Sequence, residues 1–366
     1  MKDIKKITVK YKNQVVGYLS NTEHGICFQY DENWIRTGFS ISPLSLPLDY
    51  KLYYEDTKMF KGLFGVFQDS LPDGWGELLI RRMLFKKGID YNQLTPLQKL
   101  MLINNDGLGA LTYHPSELFE NPNLYFNLDQ IAESAKHIYD EKNINKNDLD
   151  IAFLVGGSSG GARPKAHIKK DNDFYIVKFR CSHDDKNIGI LEYKATMDAK
   201  KCGINVNECK IFESKICKGY FGAKRFDRDS KGNRIHMISF SSLLEISHWI
   251  PTLDYKMLIQ VVRRICKDKT EVYEAYRRAC FNVFYKNRDD HGKNFSFLYD
   301  EDLKGYKLSP AYDINKSSHM DEHQMTVCGN GKPTEEDLIK LAKETKLSIE
   351  KCLQIIKKVK ETLKIK

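Results

Sequence analysis

Apolar and polar positions alternate from the start of the chain. Ile7-Thr8-Val9-Lys10-Tyr11-Lys12 runs through a Lys12-Asn13-Gln14 turn into Val15-Val16-Gly17-Tyr18-Leu19, which predicts a β-hairpin, and Ile26-Cys27-Phe28-Gln29-Tyr30 predicts another strand. The period then lengthens. Trp75, Leu78, Leu79 and Met83 recur at helical spacing behind Asp69-Ser70-Leu71-Pro72-Asp73-Gly74, and Thr95-Pro96 supplies a cap and a first-turn proline for a further helix. Gly107, Gly109, Pro115 and Pro122 break up the stretch from Asp106 to Pro122 and mark a domain boundary. Leu128, Ile131, Ala132, Ala135, Ile138 and Tyr139 predict one amphipathic helix. Ala166-His167-Ile168 and Tyr175-Ile176-Val177-Lys178-Phe179 read as antiparallel strands joined across Asp171-Asn172-Asp173. Two long helices follow, one with Leu258, Ile259, Val262 and Ile265, the next with Val272, Tyr276, Ala279, Cys280 and Val283. A strand pair around an Asp300-to-Gly305 turn precedes two closing helices, which begin at the capping-box-like Thr334-Glu335-Glu336-Asp337 and at Ser348.

Between these elements lie the residues that carry chemistry. Val155-Gly156-Gly157-Ser158-Ser159-Gly160-Gly161-Ala162-Arg163-Pro164-Lys165 is a glycine-rich loop set between two runs that read as strands. Glycines let main-chain N–H groups close on an anion, and phosphate is the obvious one. The loop is not a Walker A motif, because Ala162-Arg163 stands where Lys-Ser/Thr is required, and Ser158 breaks the G-x-G-x-x-G spacing. Lys178 sits within an apolar strand. It either points outward by alternation or reaches nucleotide phosphates, with Glu192 as its carboxylate partner. Phe226 and Asp227 are candidates for contacts with adenine and ribose. The most informative run is Asn287-Arg288-Asp289-Asp290-His291-Gly292-Lys293-Asn294-Phe295-Ser296. Asp289 and Asn294 are spaced as the base and metal-binding amide are in the H-R-D-x-x-x-x-N loop of kinases, and Asp313 stands where a second metal ligand is wanted. One carboxylate, one amide and phosphate oxygens suit Mg²⁺. His291 reads as a hydrogen-bonded structural residue rather than a base. His319 and His323, four apart, lack the further ligands of a metal site.

Composition narrows the class without deciding it. The chain has 366 residues, 41% hydrophobic and 29% charged, and no apolar run near the roughly 20 residues that span a bilayer. Nine scattered cysteines without a C-x-x-C pair read as reduced thiols, and the first residues do not read as a signal peptide, so a cytoplasmic location is expected. The net charge of +9 is concentrated in a lysine-rich tail that reads as a solvated helix face.

The glycine loop, Lys224-Arg225-Phe226-Asp227-Arg228, the Asn287-to-Ser296 run and Pro310-Ala311-Tyr312-Asp313 together resemble the HipA family of serine/threonine kinase toxins, and Phe64 to Asp73 resembles that family's amino-terminal subdomain. The resemblance implies an α+β, two-lobed protein-kinase-like fold divided into residues 1–108, a sheet-rich lobe at 109–228 and a helical lobe at 229–366, with ATP and Mg²⁺ bound. By position, Asp289 is the base, Asn294 and Asp313 are metal ligands and Lys178 clamps phosphate. Gly156, Gly157, Ser158, Ser159, Gly160, Gly161, Lys224, Phe226, Asp227, His291 and Lys293 lie on the cofactor side, and Ser158 is the autophosphorylated serine. Family substrates include aminoacyl-tRNA synthetases, and the implied partner is a DNA-binding antitoxin of HipB type. DNA contact is then at most indirect, and no membrane is involved. A kinase-fold binding module without turnover and a lipid or small-molecule kinase remain as alternatives.

Overall fold

A computed structural model describes residues 4–55, 59–103, 107–116, 127–141, 147–156, 160–317 and 319–365. The chain divides into two compact units, Met1–Ile190 with Glu208–Met237, and Leu191–Asn207 with Ile238–Lys366.

The first unit holds two antiparallel sheets. One is built from β1 (Lys6–Tyr11), β2 (Gln14–Thr22), β3 (Gly25–Tyr30), β4 (Tyr53–Tyr54) and β5 (Leu111–His114) in the order β4-β3-β2-β1-β5. The alternation in β1 is realised as burial of Ile7, Val9 and Tyr11, and the hairpin turns at Lys12, whose φ is 54°. The other comprises β6 (Lys165–Lys170), β7 (Asp173–Lys178), β8 (Cys209–Phe212) and β9 (Tyr220–Lys224) in the order β6-β7-β9-β8. The expected helices occupy Gly74–Lys86, Pro96–Met101 and Leu128–Asp140, and the second is closed by a Thr95/Gln98 capping box.

One expectation changes here. The run before the glycine loop is a helix, Asp148–Gly156, not a strand. Leu149, Ala152 and Phe153 bury against Trp75, Leu79 and Ile80, and Asp148 accepts from Ser134 Oγ at 2.8 Å and lies 3.0 Å from His137 Nδ1. Packing on neighbouring helices thus selects helix for an apolar run that periodicity leaves ambiguous. The first compact unit runs across residue 108. The Leu128–Asp140 helix explains why: Ala135 and Ile138 enter the core around Trp75, while Ile131 and Ala132 enter a core with Tyr175, Val177 and Phe212 of the second sheet. A helix buried on both sides thus joins the two cores.

The second unit is mainly helical. Helices Tyr255–Ile265, Glu271–Tyr285, Glu335–Glu344 and Ile349–Leu363 bury Leu258, Val262, Tyr276, Ala279, Leu338 and Ile356. Beside them runs a sheet of β10 (Met237–Ser239), β11 (Ser296–Asp300) and β12 (Gly305–Leu308) in that order. The Asp300-to-Gly305 turn is present, and Lys307 Nζ closes on Asp300 Oδ2 at 2.6 Å.

Candidate active site

The Glu271–Tyr285 helix stops at Lys286, whose left-handed backbone (φ 64°) releases the chain into Asn287-Arg288-Asp289-Asp290. A buried chain of hydrogen bonds anchors this loop. Asn287 Nδ2 donates to Asn282 Oδ1 at 3.0 Å, Asn282 Nδ2 to the Tyr255 hydroxyl at 2.8 Å, and that hydroxyl to Asp290 Oδ2 at 2.7 Å. His323 Nδ1 lies 2.8 Å from the same oxygen, and the N–H groups of Gln324 and Met325 donate to Oδ1 at 3.0 and 3.3 Å. Asp290 is 1% exposed, so only a full set of donors makes its burial tolerable.

Asp289 has the opposite surroundings. Its side chain is 57% exposed while its backbone is pinned: the N–H donates to Ser317 Oγ at 3.2 Å and the carbonyl accepts Asn294 Nδ2 at 2.6 Å. Partial desolvation raises the Asp289 pKa, His291 opposes the rise, and Asp313 and Asp290 add to it as like charges. Because Asn294 commits its amide nitrogen to the Asp289 carbonyl, its Oδ1 is the atom left to face a cation. Asp313 adopts a left-handed backbone with φ 55°, a conformation uncommon outside glycine. Tyr312 beside it donates its hydroxyl to the Lys293 carbonyl at 2.5 Å and lies 2.6 Å from Ser296 Oγ, so the Asp313 segment is tied to the Asn294 turn. Two carboxylates that repel each other, with an oriented amide oxygen, form a donor set suited to a hard divalent ion. Among the described residues, no group of three His, Cys, Asp or Glu side chains is arranged for a metal, so further ligands would come from water or phosphate. His291 Nε2 lies 3.9 Å from Asp289 Oδ1, and its ring is 5.2 Å from that of His248. His323 serves Asp290 rather than a metal.

In the first unit, Gly157, Ser158 and Ser159 lie outside the described residues, but the flanks of the loop are placed. Asp73 Oδ1 accepts the Gly161 N–H, Lys165 Nζ donates to the Gly160 carbonyl, and the Trp75 N–H donates to the Gly161 carbonyl at 2.9 Å. A Cβ on Gly156 would lie 2.6 Å from the Lys165 carbonyl oxygen, so that glycine is required for close approach. Lys178 is the last residue of β7 rather than mid-strand. It pairs with Lys165 on β6, so both lysines address one face. Lys178 Nζ also sits 5.8 Å from the Phe221 ring centre. Lys165, only 8% exposed, is the candidate that the sequence reading passed over; its signal was its position closing the glycine motif.

Lys224 stands opposite Tyr175, three residues from Lys178 and so on the other face of β7. It is committed to Asp173 at 2.7 Å, with Glu208 at 3.7 Å, and its pKa is raised chiefly by the hydrogen bond to Asp173. Phe226 is half-buried. Asp227 is 2% exposed, and its oxygens accept from Arg225 Nε and Nη2, Arg228 Nη1 and the Gly109 N–H. Burial alone would push its pKa up, but the two guanidinium groups hold it well below the carboxylate range. Its position gives it structural work. Glu192 is buried in the Ile188–Lys201 helix.

Comparison with known proteins gives the chain a family. Residues 157–365 match the model of the HipA-like C-terminal domain, and residues 7–114 match that of the HipA N-terminal domain. The chain belongs to the HipA family. A kinase-named protein of Sinorhizobium fredii, Y4dM, is 24% identical over 331 residues, covering 86% of this chain and 78% of that one. A second from the same organism, Y4mE, is 36% identical over 103 residues, covering 25% of this chain and 24% of its own length. Among solved structures, HipA in the Shewanella oneidensis MR-1 toxin–antitoxin complex of HipA, HipB and operator DNA superposes with a TM-score of 0.73 at 19% identity, over 97% of this chain and 88% of that one. The fold is thus the α+β, kinase-like fold of HipA. Among the described residues, no helix is long and apolar enough to cross a membrane.

Proposed function

We propose that this HipA-family chain is an ATP- and Mg²⁺-dependent kinase that phosphorylates a serine or threonine hydroxyl of a protein. The observation that carries the reading is the Asp289–Asn294–Asp313 arrangement: an exposed carboxylate on a pinned backbone, an amide oxygen oriented by that same backbone, and a second carboxylate whose like charge raises the pKa of the first. In the reaction the bond from the γ-phosphorus to the ADP oxygen breaks, a bond to the substrate hydroxyl oxygen forms, and the hydroxyl proton passes to Asp289. A raised pKa makes that carboxylate a stronger base than an ordinary aspartate. Asn294 Oδ1 and Asp313 would hold Mg²⁺, which neutralises phosphate charge when bound. Lys178 and Lys165 supply cationic charge for the phosphates, the backbone of Gly156, Gly160 and Gly161 borders them, and Phe226 is the candidate for contact with adenine. Asp227, already bound on all sides, is not assigned to ribose.

The finer reading extends the family resemblance to this chain: an aminoacyl-tRNA synthetase as substrate with inhibition of translation, Ser158 as the site of autophosphorylation, and a HipB-type antitoxin as partner, as HipA has in the Shewanella complex. The test is incubation of the protein with labelled ATP, Mg²⁺ and a lysate of its host, beside Asp289→Asn and Asp313→Asn. Labelled protein bands are expected only with the wild type, with a rate loss of about 10² to 10⁴ for removal of the base. Undiminished labelling by either variant would overturn the mechanism.

A further inference from the structure

Away from the catalytic loop, the second unit carries a groove of about 680 Å³ between two helices. Tyr273, Glu274 and Arg277 of the Glu271–Tyr285 helix line one wall, and Lys351, Gln354 and Lys358 of the Ile349–Leu363 helix line the other. Both sets follow helical i, i+3, i+4 and i+7 spacings, so each presents one face to the groove. Four cations stand against two carboxylates, and both carboxylates are engaged. Glu274 accepts from Arg277 Nη1 at 2.8 Å, Arg278 Nε at 3.0 Å and the Asn205 N–H at 3.0 Å, while Glu271 accepts the Leu308 N–H at 2.6 Å. Lys351 and Lys358 are exposed and have no carboxylate within ion-pair distance among the described residues; Lys351 Nζ rests 5.2 Å from the Tyr273 ring centre. At the groove wall lies Arg278, 3% exposed. It donates through Nη2 to the Ser309 carbonyl at 2.7 Å, yet its buried Nη1 has no hydrogen-bond partner among the described residues.

A buried guanidinium in the wall, beside exposed cations and carboxylates that are already spent, leaves positive potential along the groove. Hydrogen bonds to residues 308 and 309 and to Asn205 hold the walls, so a ligand need not order them first. The volume falls in the range of small-molecule sites, and several converging cations favour a multiply charged anion over a monoanion. We propose that this groove binds a small phosphorylated ligand.

Calorimetric titration of the whole chain with inorganic pyrophosphate, in EDTA and without nucleotide, tests this independently of phosphoryl transfer. Saturable binding at one site is expected. The Lys351→Glu/Lys358→Glu pair, both exposed and so expected to fold, should weaken it at least tenfold. Lys343→Glu/Lys357→Glu, with the same charge change away from the groove, should leave affinity within twofold. Absence of saturable binding, wild-type affinity in the groove variant, or an equal loss in the control would overturn the proposal.

Discussion

Two adjacent aspartates stand in the candidate catalytic loop, and only their environments tell them apart. Asp290 is enclosed and bound by a hydroxyl, an imidazole and two backbone N–H groups, whereas Asp289 presents its carboxylate outward. Asp290→Ala leaves the Tyr255 hydroxyl and two amides without their acceptor, so a loss of about 3–5 kcal/mol in folding stability is expected. Asp289→Ala removes a side chain from an exposed position and should change stability by no more than about 0.5 kcal/mol. Urea denaturation of the two variants checks the contrast, and comparable losses would refute the division of roles. The pairing of Asp289 with Asn294 could be proposed from the sequence because their interval is itself a signal, and the structure joins the two by the bond from Asn294 Nδ2 to the Asp289 carbonyl. The duty of Asp290 was not legible in the sequence, since its partners Tyr255 and His323 lie 35 and 33 residues away. Asp227 misleads for the same reason: Gly109, which donates to it, is 118 residues distant.

Elements set by local chemistry were legible, and those set by packing were not. The β1–β2 hairpin, the Thr95 capping box and the β11–β12 turn follow from neighbouring residues, whereas the Asp148–Gly156 helix is decided by its contact with the helix beginning at Gly74. That second helix start also borders the glycine loop. Gly74 has φ +47°, and a Cβ there would lie 2.5 Å from the Gly161 carbonyl oxygen, beside the Asp73 and Trp75 contacts with the same glycine. Gly88 offers a control, with φ +71° and nothing near its missing Cβ. Gly88→Ala meets only the left-handed backbone penalty of about 1 kcal/mol, whereas Gly74→Ala adds a clash with main chain and should cost about 1–3 kcal/mol or more. Denaturant midpoints measure both. Equal losses would mean that the close approach of Gly74 to Gly161 has no steric component.

At the scale of the whole chain, the apparent linker after residue 106 is a packed junction within the first unit. Arg225, Arg228 and Arg234 all donate to the Gly107 carbonyl, Arg228 and Arg234 also to that of Gly109, and Asp227 neutralises the first two while accepting the Gly109 N–H. Glycine and proline content announces a break in regular structure but says nothing about whether buried charge crosses it. Asp227→Asn would leave two guanidinium groups buried without their carboxylate, a loss of about 3–5 kcal/mol. The sign of its pH dependence follows from the depressed pKa. The native carboxylate is ionised where the unfolded one, near 3.8, is already taking up protons, so the stabilisation is complete above that value and fades as pH falls through the lower native one. The gap between wild type and variant should therefore be widest near neutrality and narrow below about pH 4. Trp34 and Trp75 are both buried and both lie before residue 108, so they report on the part of the chain that does not contain Asp227. If the first unit unfolds as one body, urea transitions followed by tryptophan fluorescence shift to lower midpoint in Asp227→Asn at pH 7. A transition unmoved by the substitution would show residues 1–108 unfolding on their own.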